Sequence, residues 1–150
     1  MSEIKMSIHI ERPIEEVFIA LTDARSQPQW DSGLLEGRHE PDGPAQLGTR
    51  MIEVRKFMGR VIETTSELIE FEANRKIVRN GKNGPMTLTG ILTFTQTDSG
   101  TRVDWTWILE MAGLVSLMTP IIASQLKRSA EPSLSNLKQL LENGAFKPLD

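Results

Sequence analysis

TLTGILTFTQTDSGTRVDWTWILEM, residues 87–111, is the stretch whose reading decides the fold. It divides into two runs around Asp98-Ser99-Gly100, a turn signal. In the first run Leu88, Leu92 and Phe94 share one face, while Thr87, Thr89, Thr93 and Thr95 dominate the other. In the second, Val103, Trp105, Trp107, Leu109 and Met111 alternate with Arg102, Asp104, Thr106 and Glu110. Period two with one apolar face is the mark of an antiparallel sheet buried on one side. Such a sheet needs a cover.

The cover is predicted downstream. From about Leu114 to Glu142 the apolar residues recur at helical spacing, in two groups: Leu117 to Leu126, then Leu134 to Leu141. Pro132 lies between them. A proline there removes a backbone hydrogen bond and costs about 3 kcal/mol in a helix interior, so a kink or break is expected within the preceding turn. The tail 146–150 is expected to be loose, leaving a single domain over residues 1–145.

Upstream, Ile4, Met6, Ile8 and Ile10 alternate with polar residues as a first strand. Pro13 opens a helix with Glu15 and Glu16 in its first turn, where the helix dipole favours acids. A second short helix is predicted around Pro28, with Trp30 near its end. Weak strand 34–40, longer strands 49–56 and 60–71, and short strand 76–79 follow. Residues 80–85 read as a polar loop.

The 49–71 hairpin requires a register. A three-residue loop of Phe57, Met58 and Gly59 places glycine at the left-handed position and avoids a positive φ at Met58. That register turns Ile52, Val54, Ile62, Thr64 and Ser66 inward. Glu53 and Arg55 then face water. A slip of one residue would bring both into the interior.

The order strand, two short helices, six strands, long helix, with Ile10-Glu11-Arg12-Pro13-Ile14-Glu15-Glu16-Val17-Phe18, Leu21-Thr22-Asp23, Gly48-Thr49-Arg50, Met58-Gly59-Arg60 and Gly100-Thr101-Arg102-Val103, resembles the START-like (SRPBCC) superfamily in its polyketide cyclase/dehydrase and lipid-transport branch. The resemblance implies an α+β helix-grip fold: a curved antiparallel sheet of about seven strands around a long C-terminal helix. It also implies an apolar cavity between them and a small lipid-like or polyketide-like ligand.

Composition narrows the function. The chain has 150 residues, 39% hydrophobic and 25% charged, enough for a core. Twenty acids against 17 bases give a net charge of -3, which argues against a nucleic-acid partner. Cysteine is absent, so thiol nucleophiles and thiolate metal sites are excluded. No cofactor or metal is expected. His9 and His39 read as surface residues. No signal core opens the chain, and Pro120 interrupts the most apolar stretch, so a cytoplasmic location without an integral membrane segment is expected. A homodimer is left open.

A cavity of at least roughly 300 Å³ is expected. Its walls are assigned to Trp30, Ile52, Val54, Leu92, Phe94, Trp105, Trp107, Met118 and Ile122. Thr64, Ser66, Gln96, Ser124 and Gln125 are the polar groups assigned to the interior. With no tyrosine, and no acid facing inward in this register, no catalytic residue can be nominated. A carrier of an apolar ligand leads this reading. A cyclase or dehydratase using buried polar residues, and an interaction module with a filled cavity, are the alternatives.

Overall fold

The structure is a computed structural model and describes residues 2–149. Strands β1 (Ser2–Ile10), β2 (Leu34–Glu40), β3 (Arg50–Phe57), β4 (Arg60–Glu72), β5 (Lys76–Asn83), β6 (Met86–Gln96) and β7 (Thr101–Met111) form one antiparallel sheet, in the order β1-β7-β6-β5-β4-β3-β2. Helix α1 (Ile14–Thr22) and a 3-10 turn at Gln27–Gln29 connect β1 to β2. A second 3-10 turn, Gly113–Met118, leads into α2 (Thr119–Glu142). The curved sheet with its long C-terminal helix is the α+β helix-grip arrangement.

The β6–β7 register pairs Gly90 with Trp107, Leu92 with Trp105 and Phe94 with Val103. All six are on the inner face, as the alternation predicts. At one end of the sheet α1 closes the core. There Phe18 meets Phe71 and Phe94 edge-to-face, with ring centroids 5.5 and 4.9 Å apart. Leu134, Leu137 and Leu141 of α2 complete this cluster. Burial of these large apolar groups is the main stabilising term, on the order of 2 kcal/mol for each fully buried side chain.

Four expectations are corrected. The β3–β4 loop has two residues, not three: Phe57 pairs with Arg60, and Met58 (φ 53°) and Gly59 (φ 78°) both adopt left-handed conformations. This shape matches the twist of the flanking strands, which outweighs the cost at Met58. The register therefore shifts by one. Met51, Glu53, Arg55 and Phe57 share the inner face with Ile62, Thr64 and Ser66, while Ile52 and Val54 fall on the opposite face.

Strand β5 does not stop at Arg79. It continues to Asn83 because β4 and β6 supply ladder partners on both sides, and only Gly84 and Pro85 remain as the turn. Pairing overrides the low strand propensity of Asn80-Gly81-Lys82-Asn83. Helix α2 continues through Pro132, which is exposed, so of the kink or break expected there the break does not occur. The Ser133 hydroxyl contacts the Ser129 carbonyl at 3.4 Å, just beside the proline. The expected loose tail is docked: Phe146 packs on the core, and Lys147 exchanges two hydrogen bonds with Gln29, at 2.7 and 3.0 Å.

Candidate functional site: a cleft with a buried ionic floor

At the end of the sheet away from α1, the inner faces of β3 to β7 diverge from α2 and leave a cleft. Its apolar walls include Trp30, Phe57, Ile62, Leu88, Trp105, Trp107 and Leu126. Trp105 and Trp107 pack edge-to-face with centroids 5.4 Å apart, since successive same-face residues are neighbours on a strand. Gly90, opposite Trp107, opens room for the indole: a Cβ there would lie 3.4 Å from Trp107 Cδ1. The cleft leaves about 130 Å³ open to the centres of water-sized molecules, inside an envelope of about 1110 Å³ that includes its mouth. By the first measure it is smaller than expected. Two arginine side chains occupy the interior.

Those arginines belong to a charged chain that crosses three elements. Arg79 of β5 donates from Nη2 to Glu53 Oε1 and from Nε to Ser66 Oγ, the latter at 3.1 Å. Arg55 of β3 donates from Nη2 to Glu53 Oε2 at 3.4 Å and to Asp31 Oδ2 at 3.0 Å. Asp31 also accepts from Gln27 Nε2 (3.0 Å), Ser133 Oγ (3.2 Å) and the Gly33 backbone N–H (3.3 Å). The acids are the most deeply placed members, with Glu53 6% and Asp31 7% exposed. Burial alone would push the Glu53 carboxyl up. The charges of Arg79 and Arg55, with their hydrogen bonds, together outweigh that and leave it below its ordinary value.

The chain is balanced in charge but not in hydrogen bonding. Asp31 is saturated with donors, and both Glu53 oxygens accept. The guanidiniums hold more N–H groups than they use. Arg79 Nη1 and Arg55 Nε and Nη1 have no protein acceptor among the described residues. The buried indole N–H groups of Trp30 and Trp105 also lack a partner among the described residues. The spare guanidinium N–H groups of Arg55 and Arg79 make the cleft floor rich in donors.

The structure brings Trp30, Thr64, Ser66, Trp105 and Trp107 together around this cleft. It does not bring the other nominated residues there. Ile52 and Val54 are on the far face. Leu92 and Phe94 are inward but fill the closed end beneath α1. Met118 is in the exposed 3-10 turn, Ile122 packs against the Ile4–Leu109 cluster, and Gln125 is half-buried outside the walls. Gln96 and Ser124 are exposed. Sequence reasoning misses Asp31, Phe57, Arg79 and Ser133, and admits Glu53 and Arg55 only through the one-residue slip that the β3–β4 register shows. Nothing local singles them out, because their partners come from other elements.

His39 also departs from the surface reading. Its ring is buried, accepting the Ala24 N–H at Nε2 (3.0 Å) and facing the Gly43 carbonyl from Nδ1 (2.7 Å). It ties the β2 end to the loop after α1. Among the described residues no cluster of His, Asp or Glu could hold a metal ion.

Fold and cleft together define a helix-grip protein with an open cleft between its sheet and its long C-terminal helix. The family model described as polyketide cyclase / dehydrase and lipid transport matches residues 1–142, and the chain belongs to that family. Solved structures agree on the fold. The protein TTHA0849 of Thermus thermophilus is 17% identical, with a TM-score of 0.76 over 96% of this chain and 99% of that one. An uncharacterised Rhizobium leguminosarum protein is 18% identical, with a TM-score of 0.70 over 95% of each chain. SA2116 of Staphylococcus aureus, a protein of unknown function, is 11% identical with a TM-score of 0.74, over 97% and 96%. No curated protein matches the sequence.

Proposed function

We propose that this protein binds a small, largely apolar ligand, aromatic or lipid-like, in the cleft between the sheet and α2. The ligand's oxygen-bearing end faces Arg55 and Arg79. The observation that carries this reading is the donor-rich floor beneath tryptophan walls. An apolar pocket with a few convergent polar groups is the usual architecture of a ligand site. Charged groups this buried are costly to keep, and guanidinium N–H groups without acceptors gain most from a carbonyl, enolate or carboxylate oxygen.

The position of Glu53 and Arg55 inside the cleft also favours a second reading, a cyclase- or dehydratase-type enzyme. In it the guanidiniums would stabilise a developing enolate. Glu53 is poorly suited to be the general base, because two arginines hold its carboxyl below the ordinary range. The open space in the cleft weighs against an interaction module with a filled interior.

Titration with an anilinonaphthalene sulfonate probe, which joins an aromatic body to acceptor oxygens, tests the binding reading. Saturable binding that quenches tryptophan emission is expected, and it should be lost in Trp107→Ala with an unchanged circular dichroism spectrum. No saturable binding to the folded protein would reject the carrier. Turnover of a bound β-dicarbonyl polyketide mimic, abolished in Arg79→Met, would put the enzyme reading first.

A further inference from the structure

The mouth of the cleft lies among three chain reversals at one end of the sheet: the β3–β4 turn at Met58-Gly59, the β5–β6 turn at Gly84-Pro85, and the 3-10 turn after β7. This end is unusually apolar for a surface. Leu114 is 91% and Leu117 81% exposed, and Met58, Val61, Met118 and Ile121 are exposed as well. Scattered single apolar residues on a surface need no explanation, but a clustered set marks an interaction site.

The charge at this end is equally uneven. The chain carries a net -3, yet no acid occurs between Glu53 and Glu63, between Glu72 and Asp98, or between Glu110 and Glu131. These intervals contain all three reversals; of the exposed acids among the described residues that the strand registers place near the same end, Glu3, Glu36 and Glu63 are ion-paired with Lys5 or Arg38, and Glu110 alone adds an unpaired negative charge. Of the exposed cations within them, Lys56, Arg60, Lys82, Lys127 and Arg128 form no ion pair with any described residue, while Arg75, in the β4–β5 turn at the opposite end of the sheet, pairs with Glu72. Elsewhere surface cations are commonly paired, as in Arg12–Glu16 and Arg102–Asp104.

We infer that this end of the protein docks on an anionic lipid surface, with Leu114 and Leu117 entering the interfacial layer and the unpaired cations facing lipid headgroups. Apolar residues flanked by cations suit the membrane interface, where each basic residue adds attraction to anionic lipid. A second copy of the chain fits less well, because a two-fold interface would set the same unpaired cations against each other. The apolar residues also project from separate tips rather than lining one groove, which suits a deformable layer better than a rigid partner. The arrangement would place the cleft mouth at the lipid surface. Docking itself requires no ligand in the cleft.

Co-sedimentation of the full chain with phosphatidylcholine vesicles, with and without phosphatidylserine, tests the inference. Binding is expected only with phosphatidylserine present, and it should weaken as salt rises. The double variants Lys127→Ala/Arg128→Ala and Leu114→Ser/Leu117→Ser should each lower partitioning by roughly tenfold or more. All four side chains are exposed, so circular dichroism and thermal unfolding should remain those of the parent. Absence of binding to anionic vesicles, or binding unchanged in both variants, overturns it. Self-association by sedimentation velocity that is lost in Leu114→Ser/Leu117→Ser, without vesicle binding, would assign the patch to a second copy. Equally tight binding to soluble polyglutamate would assign it to an acidic protein.

Discussion

Arg79 on β5 reaches past β4 to pair with Glu53 on β3, so a half-buried guanidinium and a buried carboxylate from strands that are not neighbours meet at the floor of the cleft. The pair holds the inner face of the sheet together and leaves spare guanidinium N–H groups exposed to the cleft. Removing one partner strands the other in a poorly solvated site. Glu53→Leu or Arg79→Met alone should cost about 3–5 kcal/mol in urea denaturation. The double variant should cost clearly less than the sum of the two. Additive losses would show that the two charges are not coupled.

The Glu53 carboxyl gives the pair a pH dependence. Its ordinary value is 4.5, and in the folded protein it lies lower. As pH falls, the unfolded chain takes up this proton first. The stabilisation is complete above the ordinary value and is lost as pH falls through the folded one. Unfolding free energy measured from neutral pH to about pH 3 should therefore decline more steeply for the parent than for Glu53→Gln. Parallel curves would contradict the assignment.

Met58 occupies a left-handed conformation at φ 53°, next to Gly59 at φ 78°. Asparagine tolerates that conformation better than methionine, and Asn-Gly is the favoured pair for this turn. Met58→Asn should stabilise by about 0.5–1 kcal/mol, and Gly59→Ala should destabilise by about 1 kcal/mol, both read as shifts in the thermal midpoint.

Gly37 on β2 leaves no space for a side chain, since a Cβ there would lie 1.9 Å from the Ala24 carbonyl oxygen. That contact is with backbone and cannot be relieved by a rotamer change. Gly37→Ala should displace the loop that His39 anchors and destabilise by about 2 kcal/mol or more. A thermal midpoint equal to the parent's would show that the loop moves freely.

Pro132 sits on the exposed side of the unbroken α2. It lacks the N–H that would bond the Arg128 carbonyl. Pro132→Ala should therefore stabilise, by up to about 3 kcal/mol. If probe binding in the cleft falls while stability rises, the proline shapes the Ser129–Ser133 wall.

The sheet, its cover and the facing of β6 and β7 are all legible in the sequence, because one phase of each strand is apolar and the other polar. Strand β3 has no such asymmetry. Met51, Glu53, Arg55 and Phe57 alternate with Ile52, Val54 and Lys56, and each phase mixes apolar and charged residues. A rule that sends charges to water then selects the wrong face. Glu53 and Arg55 can point inward only because Arg79 and Asp31 neutralise them, from 26 and 24 positions away in the chain. The same applies to β5, whose polar end becomes strand once β4 and β6 complete its ladders. Apolar periodicity is a local property and determined the scaffold. The ionic floor of the cleft depends on mutual compensation between distant charges, and only the tertiary structure could decide it.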